Sequence, residues 1–208
     1  MKIKTRDRIL NTSLELFNTV GEPNVTTLLI SDELDISPGN LYYHFKSKAE
    51  IVNELFAAYE AELLEMLSVP EEADISLDDQ ALFLHLVFEA IARYRFIYQD
   101  LVNILTRYDN LQNRFRRILR AKEKAFIVIA ESLQRQGLMQ LADHELSALC
   151  EQMCLTMTYW VSFESLSHLD NRDQTDLGRG VFQVMTLLAP YLNGAARQQV
   201  IAMSEAYL

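Results

Sequence analysis

The stretch Ile36-Ser37-Pro38-Gly39-Asn40-Leu41-Tyr42-Tyr43-His44-Phe45-Lys46-Ser47-Lys48 crowds hydrogen-bonding and cationic groups into one short segment. Asn40 has an amide able to pair with the edge of a base, and small neighbours at Ser37, Pro38 and Gly39 permit close approach. Tyr42, Tyr43 and His44 carry polar tips that reach phosphate or base, and Lys46 and Lys48 are suited to neutralising phosphates. Leu41 and Phe45 lie four residues apart, so a helix turns both inward and leaves the polar set outside.

The elements that must position this segment are legible around it. Residues 5–20 place Ile9, Leu10, Leu14, Phe17 and Val20 on one face, and Gly21 follows as a stop. Thr26 and Thr27 offer N-caps for a short helix, "LLISDEL", whose Leu29, Ile30 and Leu34 are expected to face the first helix. A turn at Asp35-Ile36-Ser37 comes next, with Ser37 as N-cap and Pro38 at the first helical position, where its missing N–H costs little. Ser47-Lys48-Ala49-Glu50 reads as a capping box opening a fourth helix through about residue 67.

Helix, tight turn and second helix form the helix-turn-helix arrangement, whose second helix presents its first residues to the major groove. Helical hairpins with a short turn are common, so the pattern alone leaves a plain hairpin open. The run from Ile9-Leu10 through Leu16-Phe17, Gly21, Thr26-Thr27, Ile30-Ser31, Ile36-Ser37 and Gly39–Phe45 to Ser47-Lys48 and Ile51 closely resembles the DNA-binding region of the TetR family of bacterial regulators. The resemblance implies that the helix holding Tyr42 and Tyr43 enters the major groove. It also implies that Thr27, Tyr42, Lys46 and Lys48 lean toward phosphates. Three positions depart from the family pattern: Asp35 stands at a customary turn glycine, Ser31 at a customary alanine, and Pro38 at a position often polar. Asp tolerates the left-handed conformation better than most residues, so the turn is expected to survive with some strain.

The rest of the chain reads as all-α, with six glycines and four prolines in 208 residues. The resemblance divides it into a three-helix DNA-binding unit at 1–47 and a helical effector-binding and dimerisation unit at 48–208, joined through a connecting helix at 48–67. Residues 68–80 look like an acidic connector. Helices are expected over about 81–94, 97–108, 111–136, 143–169 and 176–192, then a final short one. Breaks fall at Gly137, Asp170–Thr175 and Gly194.

The net charge of -10 argues against indiscriminate nucleic-acid binding, so a polyanion contact must come from a local patch. Lys2, Lys4, Arg6, Arg8, Lys46 and Lys48 supply that patch. Residues 51–80 hold nine acids and no base, whereas 81–140 hold ten bases against five acids. Ion pairing between the two accounts for "RFRRILRAKEK" better than a second DNA element does. Cys150 and Cys154 read as small buried hydrophobes of a reducing compartment. His85, His144 and His168 lack ligand spacing, so no metal and no cofactor are expected. No apolar run reaches the ~18 residues of a membrane span, and the N-terminus lacks a signal core, so a cytoplasmic protein is expected.

Two faces in the larger unit hint at a pocket. Val87, Ile91, Tyr94, Tyr98, Leu101 and Leu105 share a stripe if their helix is continuous, and Phe115, Ile118, Lys122, Phe126 and Ile129 share another. Met153, Met157, Trp160 and Glu164 align on a third helix. One reading has Tyr94, Tyr98, Lys122 and Glu164 lining an effector cavity walled by Trp160, Phe163, Met153 and Met157. The plainer reading, which the residue types favour, has Lys122 snorkelling and Glu164 reaching solvent or a dimer seam.

"FLHLVFEAIARYRFIYQDLVNIL" and "VFQVMTLLAPYL", with "TRDRIL" and "GEPNV", are similar to a subgroup of TetR regulators found with polyhydroxyalkanoate genes. That implies a link to storage polyester or acyl-CoA metabolism. The TetR resemblance further implies a homodimer through the C-terminal helices, double-stranded operator DNA as partner, and a small-molecule effector. The stripes Leu149-Met153-Trp160 and Val181-Val184-Met185-Leu188-Leu192 are long enough to serve both core and partner. Three functions stay open: an effector-controlled regulator, the same fold acting through protein partners or without an effector, and an enzyme. The third lacks a nucleophile–base set, a glycine-rich phosphate loop and a metal set.

Overall fold

A computed structural model describes residues 4–167 and 176–208. Lys2, His168 and the break expected at 170–175 lie outside the described residues. Eleven α-helices carry the described chain, with one isolated bridge, Met139 to Leu192, and no strand among the described residues.

Helix α1 (Thr5–Leu16) runs into a π-turn at Phe17–Gly21. The wider turn keeps Phe17 buried but rotates Val20 out to 44% exposure, against the expected inward face. Gly21 ends the turn at φ 88°, a left-handed conformation that glycine adopts without steric cost. Helices α2 (Thr27–Glu33) and α3 (Pro38–His44) complete the head, and α4 (Lys48–Met66) leads away from it. Ile9, Phe17, Val25, Ile30, Leu41 and Phe45 form its core. Leu29 was expected inward, but it is solvent-exposed on the far side of α2.

The body follows as α5 (Leu77–Arg93), α6 (Arg95–Gln99), α7 (Leu101–Arg107), α8 (Gln112–Arg135), α9 (Asp143–Ser167), α10 (Leu177–Leu188) and α11 (Gly194–Glu205). The acidic connector is shorter than the sequence suggests. A capping box formed by Ser76 and Asp79 starts α5 at Leu77. The expected continuous stripe through Tyr94 and Tyr98 is broken, because Tyr94 (ψ 36°) and Asp100 (ψ 41°) leave the helical region and split the segment into α5, α6 and α7. Val87, Ile91, Tyr94, Tyr98 and Leu101 are nevertheless all buried.

Helices α8 and α9 pack side by side, and α10 fills the space between α9 and α5. Gly180 on α10 makes that approach possible, since a Cβ there would lie 2.5 Å from the Phe88 ring and 2.7 Å from Trp160. The stripes Leu149-Met153-Trp160 and Val181-Val184-Met185-Leu188-Leu192 are spent on this core. A different set on α9, Leu155, Tyr159, Phe163 and Leu166, remains exposed. Three cations of the basic run on α8 are ion-paired with the acidic 51–80 segment as expected. Arg114 and Arg117 clasp buried Glu60 at 2.7 and 2.6 Å, and Lys124 meets Glu71 at 2.7 Å.

Candidate nucleic-acid interface and body cavity

Short-range caps build the outward face of α3. The Thr26 hydroxyl accepts from the Leu29 amide at 3.1 Å and starts α2, and the Ser31 hydroxyl donates to the Thr27 carbonyl at 2.9 Å. Asp35 then reverses the chain at φ 52°, a left-handed turn at a residue that is not glycine. Ser37 accepts from the Asn40 amide at 3.2 Å, with Pro38 opening α3 as anticipated. Leu41 and Phe45 are fully covered, whereas Ser37, Pro38, Gly39, Asn40, Tyr42, Tyr43 and Lys46 face solvent. Tyr43 is 78% exposed, its ring edge-on to the half-buried His44. The Tyr42 hydroxyl lies 3.3 Å from the Thr27 hydroxyl, which ties the outer face of α3 to the start of α2.

The cations beside this face divide into two kinds. Lys46 caps the end of α3 by donating to the Tyr42 carbonyl at 2.9 Å and stays solvent-exposed. Lys48, expected to lean toward phosphates, instead turns inward to the Glu22 carboxylate at 2.8 Å and the Glu22 carbonyl at 2.9 Å. Burial explains the difference. Glu22 is 1% exposed, and an ionised carboxylate there requires charged or hydrogen-bonding partners. It also accepts from Arg107 and, at 2.6 Å, from the Tyr108 hydroxyl. Burial first, and then the donated bond to Glu22, push the Tyr108 phenol above its ordinary value. Glu22 therefore joins the head, the first residue of α4 and the end of α7. Sequence reading missed it, because its partners lie 26 and 86 residues away. Ser47 accepts from the Glu50 amide at 3.3 Å, but Glu50 reaches one residue beyond the expected box, to the Lys46 amide at 2.7 Å.

In the body, α7, α8 and α9 line a cavity of about 670 Å³ that opens to solvent, with Val102, Leu155 and Tyr159 at its exposed rim. Leu101, Val102, Leu105, Phe115, Leu119 and Leu155 provide an apolar wall. Thr106, Gln112, Arg116, Glu123, Glu151, Cys154, Thr158 and Tyr159 add polar groups. The expected effector residues are not its lining. Tyr98 and Lys122 lie one layer behind it, wholly buried, with the Lys122 amine 3.2 Å from the Tyr98 hydroxyl and 3.4 Å from that of Thr158. Tyr98 also hydrogen-bonds Tyr59, whose ring packs against Tyr94. Met153 and Met157 fill the inner face of α9. Snorkelling is ruled out for Lys122, because no path to solvent remains and burial lowers its pKa to about 7.

Glu164 also fails to reach solvent. It accepts from the Asp176 amide at 2.9 Å and meets Arg179 at 3.5 Å. Trp160 donates to the Asp176 carbonyl at 3.1 Å. Together with the 59%-exposed Phe163, it borders a separate 440 Å³ hollow next to Arg179 and Gln183. The eight expected residues thus divide between a buried hydroxyl–amine cluster, the methionine core and a tryptophan corner. Among the described residues no three His, Cys, Asp or Glu side chains gather as metal ligands, and no helix is long and apolar enough to cross a membrane.

This geometry agrees with comparisons to known proteins. Residues 9–55 match the family described as bacterial regulatory proteins, tetR family, and residues 58–200 match TetR, described as bacterial transcriptional repressor. The chain belongs to the TetR family of transcriptional regulators. A TetR-family regulator of Marinobacter aquaeolei VT8 shares 38% identity, covers 99% of each chain and superposes with a TM-score of 0.88. The ketosteroid transcriptional regulator of Mycobacterium tuberculosis has the same fold at 19% identity, with a TM-score of 0.62 over 93% of this chain and 98% of that one. The class C tetracycline repressor of Escherichia coli is 36% identical over 53 residues, a match spanning 26% of this chain and 24% of the repressor. This TetR-family chain accordingly carries a DNA-binding helix-turn-helix in α2 and α3.

Proposed function

We propose that the protein is an effector-controlled transcriptional regulator that binds a roughly palindromic operator as a homodimer. Residues 1–47 serve as the DNA-binding unit, and 48–208 as the effector and dimer unit, with α4 between them. Asn40, Tyr42, Tyr43 and His44 address the groove. Ser37, Pro38 and Gly39 allow close approach, and Thr26, Thr27 and Lys46 meet phosphates. Lys48 contributes by holding α4 to the head through Glu22. The observation that carries this reading is the outer face of α3, where exposed phenols and an amide stand over a fully covered Leu41–Phe45 anchor.

Dimerisation falls to α9 and α10, because Phe163 and Leu166 on α9 leave an exposed apolar strip that a second copy covers by two-fold symmetry, next to the cavity mouth that Leu155 and Tyr159 line. The effector occupies the cavity of α7, α8 and α9. Helix α7 supplies four lining residues and then, in the next two positions, Arg107 and Tyr108, which grip Glu22. A ligand that displaces α7 therefore shifts the head. It does so only to the extent that it binds one arrangement better than the other. Similarity to regulators found with polyhydroxyalkanoate genes supports an effector from acyl metabolism, an acyl-CoA or a hydroxyacid.

The test is a footprint on DNA flanking the protein's own gene, repeated with acyl-CoA thioesters and hydroxyacids. The reading expects a protected, two-fold symmetric site whose occupancy one of these classes changes. Protection that no metabolite alters favours an effector-free regulator, and an absence of protection, or binding insensitive to salt, contradicts DNA regulation there.

A further inference from the structure

We propose that the cavity between α7, α8 and α9 takes a ligand with a single carboxylate head and an apolar body, and that Lys122 recognises the head. The assignment rests on reading this cavity as the effector site. Four charged side chains are fully buried among the described residues: Glu22, Glu60, Lys122 and Glu164. The three acids each have a cationic partner. Lys122 has none: its amine meets two hydroxyls and the Tyr98 ring, 5.1 Å from the ring centre. A buried ammonium without a counter-charge is strongly disfavoured, and a carboxylate brought to it would supply what the fold omits.

Position supports the same assignment. Leu119 and Glu123, beside Lys122 on α8, line the cavity, as do Cys154 and Thr158 facing it from α9. Thr158 both lines the cavity and accepts from the amine, so one side chain separates Lys122 from the ligand space. A rotation of the Thr158 side chain that swings its hydroxyl off the amine opens the floor of the cavity, and a carboxylate there accepts from Lys122. Its chain then lies along Leu101, Leu105, Phe115 and Leu155. Glu123 and Glu151 outnumber Arg116 among the charged lining residues, which disfavours a polyanionic head and selects one negative charge.

Proton uptake gives an independent readout. Tyr98 from α6 and Cys154 from α9 face the amine, and burial raises both, the thiol to about 11. At pH 8 they are neutral, and the amine is the group that gains a proton when a carboxylate arrives.

The experiment is calorimetric titration of the full chain with octanoate, octan-1-ol and octanamide at pH 8, in two buffers of different ionisation enthalpy, with operator affinity measured in parallel. Octanoate is expected to bind about tenfold or more tightly than either neutral analogue, with net proton uptake. Lys122→Met removes both the preference and the uptake while the alcohol still binds. Equal affinities, a preference that survives Lys122→Met, or no binding across the series overturns the proposal. Should Lys122→Met not fold, the wild-type heats decide: octanoate binding without proton uptake overturns it. If octanoate binds through Lys122 but leaves DNA affinity unchanged, effector control fails and the headgroup assignment stands. If neutral analogues release DNA as well as octanoate does, the headgroup assignment fails and effector control stands.

Discussion

Tyr42 and Tyr43 on α3 stand 45% and 78% exposed, whereas Tyr59 and Tyr98 are wholly buried and hydrogen-bonded to one another in the body. The lysines divide the same way, with Lys46 in solvent and Lys122 sealed inside. Identical side chains thus serve opposite purposes. What separates them is whether a further helix covers the face on which they sit. Helix α3 packs inward through its Leu41–Phe45 anchor and no helix covers its outer face, so Asn40, Tyr42 and Tyr43 stay open to solvent. Helices α6 and α8 are covered by α9, so their polar groups must satisfy one another.

The contrast breaks first, and most severely, at the anchor of α3. Phe45→Ala should cost about 3–5 kcal/mol, as truncation of a buried aromatic usually does, whereas Tyr43→Ala should stay within about 0.5 kcal/mol. Urea unfolding of the two variants measures the difference. Comparable losses would mean that the outer face is packed after all.

Glu22→Gln probes the joint between the two regions. It removes the charge shared by Lys48 and Arg107, and the expected loss is about 3 kcal/mol or somewhat less, since those cations are 24% and 42% exposed. Unfolding should also become less cooperative as head and body separate. A fully cooperative transition at wild-type stability would exclude Glu22 as a joint.

The two lysines should differ in their response to pH. The unfolded chain keeps the Lys122 proton up to the ordinary value of 10.5, whereas the folded chain releases it at about 7. Between those values the unfolded state binds more protons, so stability rises as pH climbs from 7 toward 10. Lys122→Met should abolish that rise and stabilise the protein at pH 7 by roughly 2–4 kcal/mol. Lys46→Met should leave the profile alone, and denaturant midpoints across this range decide.

Asp35→Gly should produce the smallest shift. Glycine relieves the left-handed φ of 52°, and a gain of up to about 1 kcal/mol is expected, read as a rise in the thermal midpoint.

The head was nearly all legible in the sequence because its signals are local. Ser37, Pro38, Leu41 and Phe45 fix α3 within one short window, and Asp35 announces its own turn. The body was legible in its helices but not in their use. No glycine or proline marks the breaks at Tyr94 and Asp100, which tertiary packing imposes. The rim of the cavity is made by Val102, Arg116, Glu123 and Glu151, which are solvent-exposed and read in the sequence as ordinary solvated helix positions. Lys122 and Glu164 share apolar stripes in the sequence, yet residue type favours snorkelling and solvent for them. Both are buried because Tyr98, Thr158 and Asp176 come from neighbouring helices and the segment beside them. Glu22 left no local trace at all.

The most direct test of the regulatory reading is operator affinity of Tyr42→Ala/Tyr43→Ala beside the wild type, at fixed salt and with unfolding midpoints recorded for both. An unchanged midpoint and an affinity loss of about tenfold to a hundredfold for each groove contact removed are expected. Undiminished affinity from a folded double variant would contradict that reading.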